Sequence, residues 1–110
     1  MGLGRVALAG LLLAICAGAR ADGPPSIPVM LKDHKFTPAE IHVKAGQPVI
    51  LVITNQDSDP EEFDSNALKI EKVIMGGGTG SVRLRPLGHG QYPFQGEYHA
   101  DTAQGMVVAD

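Results

Sequence analysis

Cysteine is almost absent from these 110 residues, and the single copy, Cys16, lies inside an apolar N-terminal run. Arg5 precedes that run, Val6 to Ala19, and Ala19-Arg20-Ala21 closes it with the small-x-small pattern of a cleaved secretory leader ahead of Asp22. The run is too short to cross a bilayer with Arg20 at its end. Leu13-Ala14-Ile15-Cys16 half resembles a lipobox, but Ile15 is bulky where such boxes carry a small residue. Residues 1–21 therefore read as a signal peptide, and the exported chain has no cysteine left. Disulfides, thiolate metal sites and cysteine nucleophiles fall out together.

Other absences narrow the field further. There is no tryptophan, aromatics are few, and eight prolines interrupt the chain, which fits one small all-β module. Basic charge is scarce: nine lysines and arginines face twelve aspartates and glutamates, and the leader takes Arg5 and Arg20 with it. An acidic surface argues against nucleic acid or anionic lipid as partner and is compatible with a cation. Met75-Gly76-Gly77-Gly78-Thr79-Gly80 lacks the Gly-Lys-Ser/Thr of a phosphate loop and reads as a mobile connector. The scattered serines offer no Ser-His-Asp order that would mark a hydrolase.

What is present is a succession of short strands. Residues 22–28 form a Gly/Pro/Ser linker, and a single domain is expected over 29–110. Val29 to Lys32 is its first strand. Glu40-Ile41-His42-Val43-Lys44 alternates and stops at Ala45-Gly46, and Pro48 to Thr54 is a β-branched run suited to a central, doubly buried strand. Further strands are expected at 62–64, 68–74, 81–85, 91–99 and 105–108. This spacing predicts a sandwich or barrel with minimal helix, at most one short turn in Asp101-Thr102-Ala103-Gln104 capped by Asp101.

The chemistry-bearing residues gather near the end of the 91–99 strand. Glu97 and His99 are two apart and share a face if that strand persists to its end. At roughly 3.3 Å per residue, residues 91 and 97 lie about 20 Å apart, so His89 stands at the opposite pole. Glu62 and Asp64 have the same spacing, with Phe63 between them entering the core. Oxygen and nitrogen donors of this kind suit iron, manganese, zinc or oxidised copper. His34, His42 and His89 read as surface residues, and Met106, beside Val107-Val108, as core. A soft site for reduced copper built from Met75, Met106 and His99 stays open as a lesser alternative.

The segment Tyr92-Pro93-Phe94-Gln95-Gly96-Glu97-Tyr98-His99 resembles the metal-site end of a cupredoxin, where the pattern is Tyr-x-Phe-x-Cys-x-x-His and the cysteine and histidine bind copper. Gly96 stands where that cysteine would be. Phe36 to Val49 resembles the family's first hairpin and Thr54-Asn55-Gln56-Asp57 the turn ahead of its first ligand, at whose place stand Glu61 and Glu62. Within the family the likeness is to the EfeO-type cupredoxin-like domain of bacterial iron-uptake systems, through Glu62-Phe63-Asp64, Glu71-Lys72-Val73, Pro86-Leu87 and Gly96-Glu97-Tyr98-His99. The resemblance implies an all-β, cupredoxin-like Greek-key β-sandwich or barrel whose 55–62 loop reaches the pole of His99. It also implies a periplasmic protein that binds an iron or copper ion without a type 1 blue-copper centre. Oxidation of ferrous iron and an inner-membrane permease as partner belong to the same expectation. The candidate ligands are then Glu62, Asp64, Glu97 and His99, with Glu71 added by resemblance. Which of Glu61 and Glu62 faces the pocket depends on a one-residue choice of register. The rival expectation is a non-metal interaction module that docks on a membrane partner.

Overall fold

The computed structural model describes residues 23–110, and the signal-peptide reading lies outside that range. The strands are β1 (Ser26–Lys32), β2 (Lys35–Thr37), β3 (Glu40–Val43), β4 (Val49–Asn55), β5 (Glu61–Ser65), β6 (Ile70–Ile74), β7 (Thr79–Leu84), β8 (Gly90–Gly96) and β9 (Gln104–Ala109). They form two sheets, ordered β2-β1-β4-β7 and β3-β9-β8-β5-β6. Each sheet contains one parallel pair, β1 with β4 and β3 with β9, inside otherwise antiparallel pairing. The fold is an all-β sandwich, as expected.

Alternation along the strands sets which side chains enter the space between the sheets. In β4, Val49, Leu51, Ile53 and Asn55 are buried while Ile50, Val52 and Thr54 are half-exposed. In β5 the inward row is Glu61, Phe63 and Ser65, so Glu62 and Asp64 point out of the sandwich. Phe63 stacks on Phe94 at 4.7 Å, and Phe36 meets Phe94 edge-on at 5.1 Å, giving the core an aromatic centre.

Several local expectations change. The first strand begins at Ser26, three residues before the expected start at Val29, because Pro25 already accepts the amide of Ile50. β6 starts only at Ile70: Ser65 Oγ accepts the amide of Leu68 and donates to the Pro93 carbonyl, closing a turn that Lys69 completes with φ of 60°. The glycine run is not a loose connector. Gly77 donates to the Asp57 carbonyl, Gly78 accepts from Asn55, and a Cβ at Gly76 would fall 2.0 Å from the Ser58 carbonyl oxygen. Met106 is half-buried on the outer row of β9, outside the core that its neighbour Val107 enters.

The largest local change is at the end of β8. The strand stops at Gly96, and Glu97–His99 form a 3₁₀ turn in place of the expected strand end, running on into a turn at 100–102 that overlaps the one expected at 101–104. The amide of Tyr98, which a strand would pair with a neighbouring carbonyl, donates instead to the Glu61 carboxylate at 2.9 Å. His99 then accepts the amides of Thr102 and Ala103 at its carbonyl, turning the chain back toward β9.

Candidate metal centre

The parallel pairing of β1 and β4 sets Leu31 beside Asn55, so the β1–β2 turn and the loop after β4 leave the sandwich side by side. Asp33 and His34 occupy that turn with φ of 52° and 57°, a two-residue hairpin geometry. Asp57 caps both exposed amides, accepting from Asp33 at 2.7 Å and from His34 at 2.9 Å. Those amide bonds, His34's foremost, hold the Asp57 carboxyl below its usual range. His34 is thereby fastened to the loop that carries Asp59.

Asp59 faces the Nε2 edges of two imidazoles. Its Oδ2 is 3.5 Å from His34 Nε2 and 3.5 Å from His99 Nε2. The rings stack at 3.5 Å with planes 9° apart. One ligand atom from each residue lies within 4.8 Å of the others, and this is the one His/Cys/Asp/Glu cluster of metal-binding dimensions among the described residues. Ligands about 2.1 Å from a tetrahedral metal are separated by about 3.4 Å, so the donors already stand near bonding separation.

Behind His99 is Glu61, 2% exposed. Its Oε1 accepts the amides of Glu62 at 3.1 Å and Tyr98 at 2.9 Å, and its Oε2 lies 2.7 Å from His99 Nδ1. A carboxylate can only accept, so in this pair Nδ1 donates and the Nε2 lone pair is left facing Asp59. Gly96 makes room for this. A Cβ at 96 would lie 2.6 Å from Glu61 Cδ, 2.8 Å from Oε2 and 2.8 Å from Ala103 Cβ. The residue at the cysteine position and the buried carboxylate therefore exclude each other.

The structure divides the five sequence candidates. His99 is at the pole with His34 and Asp59, whereas Glu62, Asp64, Glu71 and Glu97 gather on the outer face of the second sheet. Asp64 and Glu71 are directly opposed across β5 and β6. Glu97 hydrogen-bonds Asp64, and that bond, then the Asp64 charge, pushes its carboxyl above the ordinary carboxylate range. Glu62 is raised as well, first by loss of water and then by Glu71 and Asp64. Glu97 and His99 do not share a face, because the 3₁₀ turn replaces the period of two with one nearer three. Met75 is 65% exposed, and Met106 lies on the outer row of β9. His42 bonds Glu40 and Asp110 on the surface, and His89 is exposed at the far end of β8.

Sequence reasoning passed over His34, Asp59 and the orienting role of Glu61. The signal for Glu61 was the alternation around Phe63: a core phenylalanine forces residue 61 inward too. His34 carried no such signal, since its place depends on the parallel β1–β4 pairing.

The outer carboxylates give a first expected result. Glu97→Gln will raise the thermal midpoint at neutral pH, because the amide still donates to Asp64 while one of two like charges is gone. With the folded carboxyl raised, the native state binds more protons than the unfolded one, so wild-type stability falls as pH rises through that window. The advantage of the variant will therefore shrink on acidification below it; a midpoint lowered at neutral pH would contradict the pairing.

A family model described as "Cupredoxin-like domain" matches residues 5–109. An uncharacterized protein of Rickettsia prowazekii (strain Madrid E) is 37% identical over 89 residues, spanning 81% of this chain and 71% of that one. Two solved structures share the fold. The metal binding domain of the Cu(I) exporting P-type ATPase CopA of Streptococcus pneumoniae superposes with a TM-score of 0.68 at 16% identity, over 84% of this chain and 92% of the other. Auracyanin A, a blue copper protein from Chloroflexus aurantiacus, gives 0.67 at 18% identity, over 80% and 100%. With the family model spanning nearly the whole sequence, the chain belongs to the cupredoxin-like domain family.

Proposed function

We propose that this protein is an exported metal carrier that takes a divalent cation, ferrous iron or oxidised copper, at His34, Asp59 and His99. The observation that carries the reading is Asp59 Oδ2 held 3.5 Å from both Nε2 atoms, with Glu61 fixing the ring behind one of them. Two histidines and one carboxylate with solvent-facing positions suit ferrous iron, and imidazole suits copper equally. A type 1 copper centre does not fit: it needs a thiolate, no cysteine occurs among the described residues, and Glu61 fills the space beside Gly96.

The finer reading is the EfeO-type role in uptake: ferrous iron collected in the periplasm, oxidised and passed to an inner-membrane permease. The outer carboxylates Glu62, Asp64, Glu71 and Glu97 support it as a second, hard oxygen-donor surface that favours the ferric product. Oxidation removes one electron from each ferrous ion, with dioxygen as acceptor.

Ferrous iron added anaerobically and then exposed to oxygen tests this reading. The expected result is stoichiometric binding, oxidation faster than in buffer, and no intense blue band when Cu(II) replaces iron. Binding with an unchanged oxidation rate would leave a carrier without the ferroxidase step. Absence of binding would return the chain to the class of non-metal interaction modules.

A further inference from the structure

A cupredoxin fold leads one to expect a thiolate at position 96, and this chain disagrees with its fold there in two correlated ways. The side chain at 96 is missing, and a carboxylate from the facing strand occupies the volume that side chain would need. We propose that Glu61 is the positioning and selecting residue of the metal centre: it takes the place of the thiolate without becoming a ligand, and through His99 it restricts the site to divalent ions. This rests on the reading of His34, Asp59 and His99 as the ligands.

Burial of Glu61 is costly, since a carboxylate removed from water needs its lone pairs satisfied and its charge balanced. Two backbone amides and the His99 ring proton satisfy the lone pairs. The described ligands supply no compensating charge, because both imidazoles must be neutral to bind metal, and Asp59 adds a second negative charge. A divalent ion bound at His99 Nε2 neutralises both carboxylates, one directly and one through the ring. A monovalent Cu(I) ion leaves one negative charge uncompensated and meets no soft ligand.

The same bond fixes which nitrogen is offered. With Nδ1–H pointing at Oε2, the ring cannot rotate or exchange tautomers without breaking a 2.7 Å contact. His34 lacks such an anchor: its ring touches Asp59 and stacks on His99. Stacked imidazoles have parallel lone pairs, so a metal shared between them requires one ring to tilt. His99 is clamped from behind, and the tilt falls to His34.

Two variants of the purified protein test the proposal, with Cu(II) and Cu(I) as probes. Glu61→Gln keeps the size and can accept both amides, but its NH2 group faces Nδ1 and drives the ring proton to Nε2. We expect Cu(II) affinity to fall by roughly 10–100-fold, the span usual for losing an orienting partner. Cu(I) affinity should change far less, and the Cu(II) electron paramagnetic spectrum should shift. Glu61→Ala with Gly96→Cys and Ala103→Gly removes both side chains that a Cβ at 96 would meet, and should give an intense thiolate-to-Cu(II) band that Gly96→Cys with Ala103→Gly does not give. Wild-type affinity, spectrum and pH profile in Glu61→Gln would overturn the positioning role. A folded triple variant without the band, or Gly96→Cys with Ala103→Gly producing it while Glu61 is intact, would overturn the mutual exclusion of Glu61 and a residue-96 thiolate. If wild-type protein binds neither ion, the ligand assignment itself fails.

Discussion

Replacing His99 by alanine is expected to cost more than the tenfold to hundredfold typical of outer partners, so above roughly a hundredfold in Cu(II) or ferrous affinity. The ring is one of the three proposed ligands, and its loss also leaves Glu61 buried without its third donor. His34→Ala and Asp59→Asn should each weaken binding strongly while leaving the fold intact, because both side chains are partly exposed. His89→Ala is the control, since that residue lies beyond the opposite end of β8. Calorimetric titration of the four variants separates the outcomes, and equal losses at 89 and 99 would displace the site from this pole. Binding to wild type and to the His89→Ala control should weaken on acidification, because proton and metal compete for the Nε2 lone pairs of His34 and His99.

Gly105→Ala should destabilise the domain by about 1–3 kcal/mol, the usual range for forcing extra volume into a packed core. Gly105 faces Phe94 across β8 and β9, and a Cβ there would lie 2.1 Å from the tip of the phenyl ring. The ring has nowhere to retreat: Phe63 stacks on one side and Phe36 meets it edge-on. Chemical denaturation will show a lowered midpoint with little change in slope if the native fold is kept. A midpoint equal to wild type would mean that the aromatic centre is loosely packed.

The sandwich was legible because Glu40 to Lys44 carries a period of two in plain form and Val49 to Thr54 is an unbroken β-branched run of strand length. The outward pair Glu62 and Asp64 was legible for the same reason. The pole was harder. His99 is where the family resemblance set it, but the segment around it abandons the strand period, since Glu61 captures an amide that a strand would pair with its neighbour. That capture depends on a residue far away in sequence, and local pattern does not contain it. His34 and Asp59 depend on a still less local fact, the parallel alignment of β1 with β4. Turn-forming residues such as Lys32-Asp33-His34-Lys35 announce a hairpin tip without saying what stands opposite it.

The scattered origin of the ligands ties metal capture to folding. His34, Asp59 and His99 come from a hairpin tip, an inter-sheet loop and a 3₁₀ turn, and meet only when both sheets are assembled. On the export route proposed above, an extended chain threaded through a membrane pore would hold isolated side chains and no chelate. Metal on the side of synthesis would then have nothing tight to occupy, and capture would wait for folding. Once folded, the chain gains stability by mass action, about 2.7 kcal/mol at a free ion concentration a hundred times the Kd. Loading is then a ratchet: the ion that arrives also keeps its carrier from unfolding.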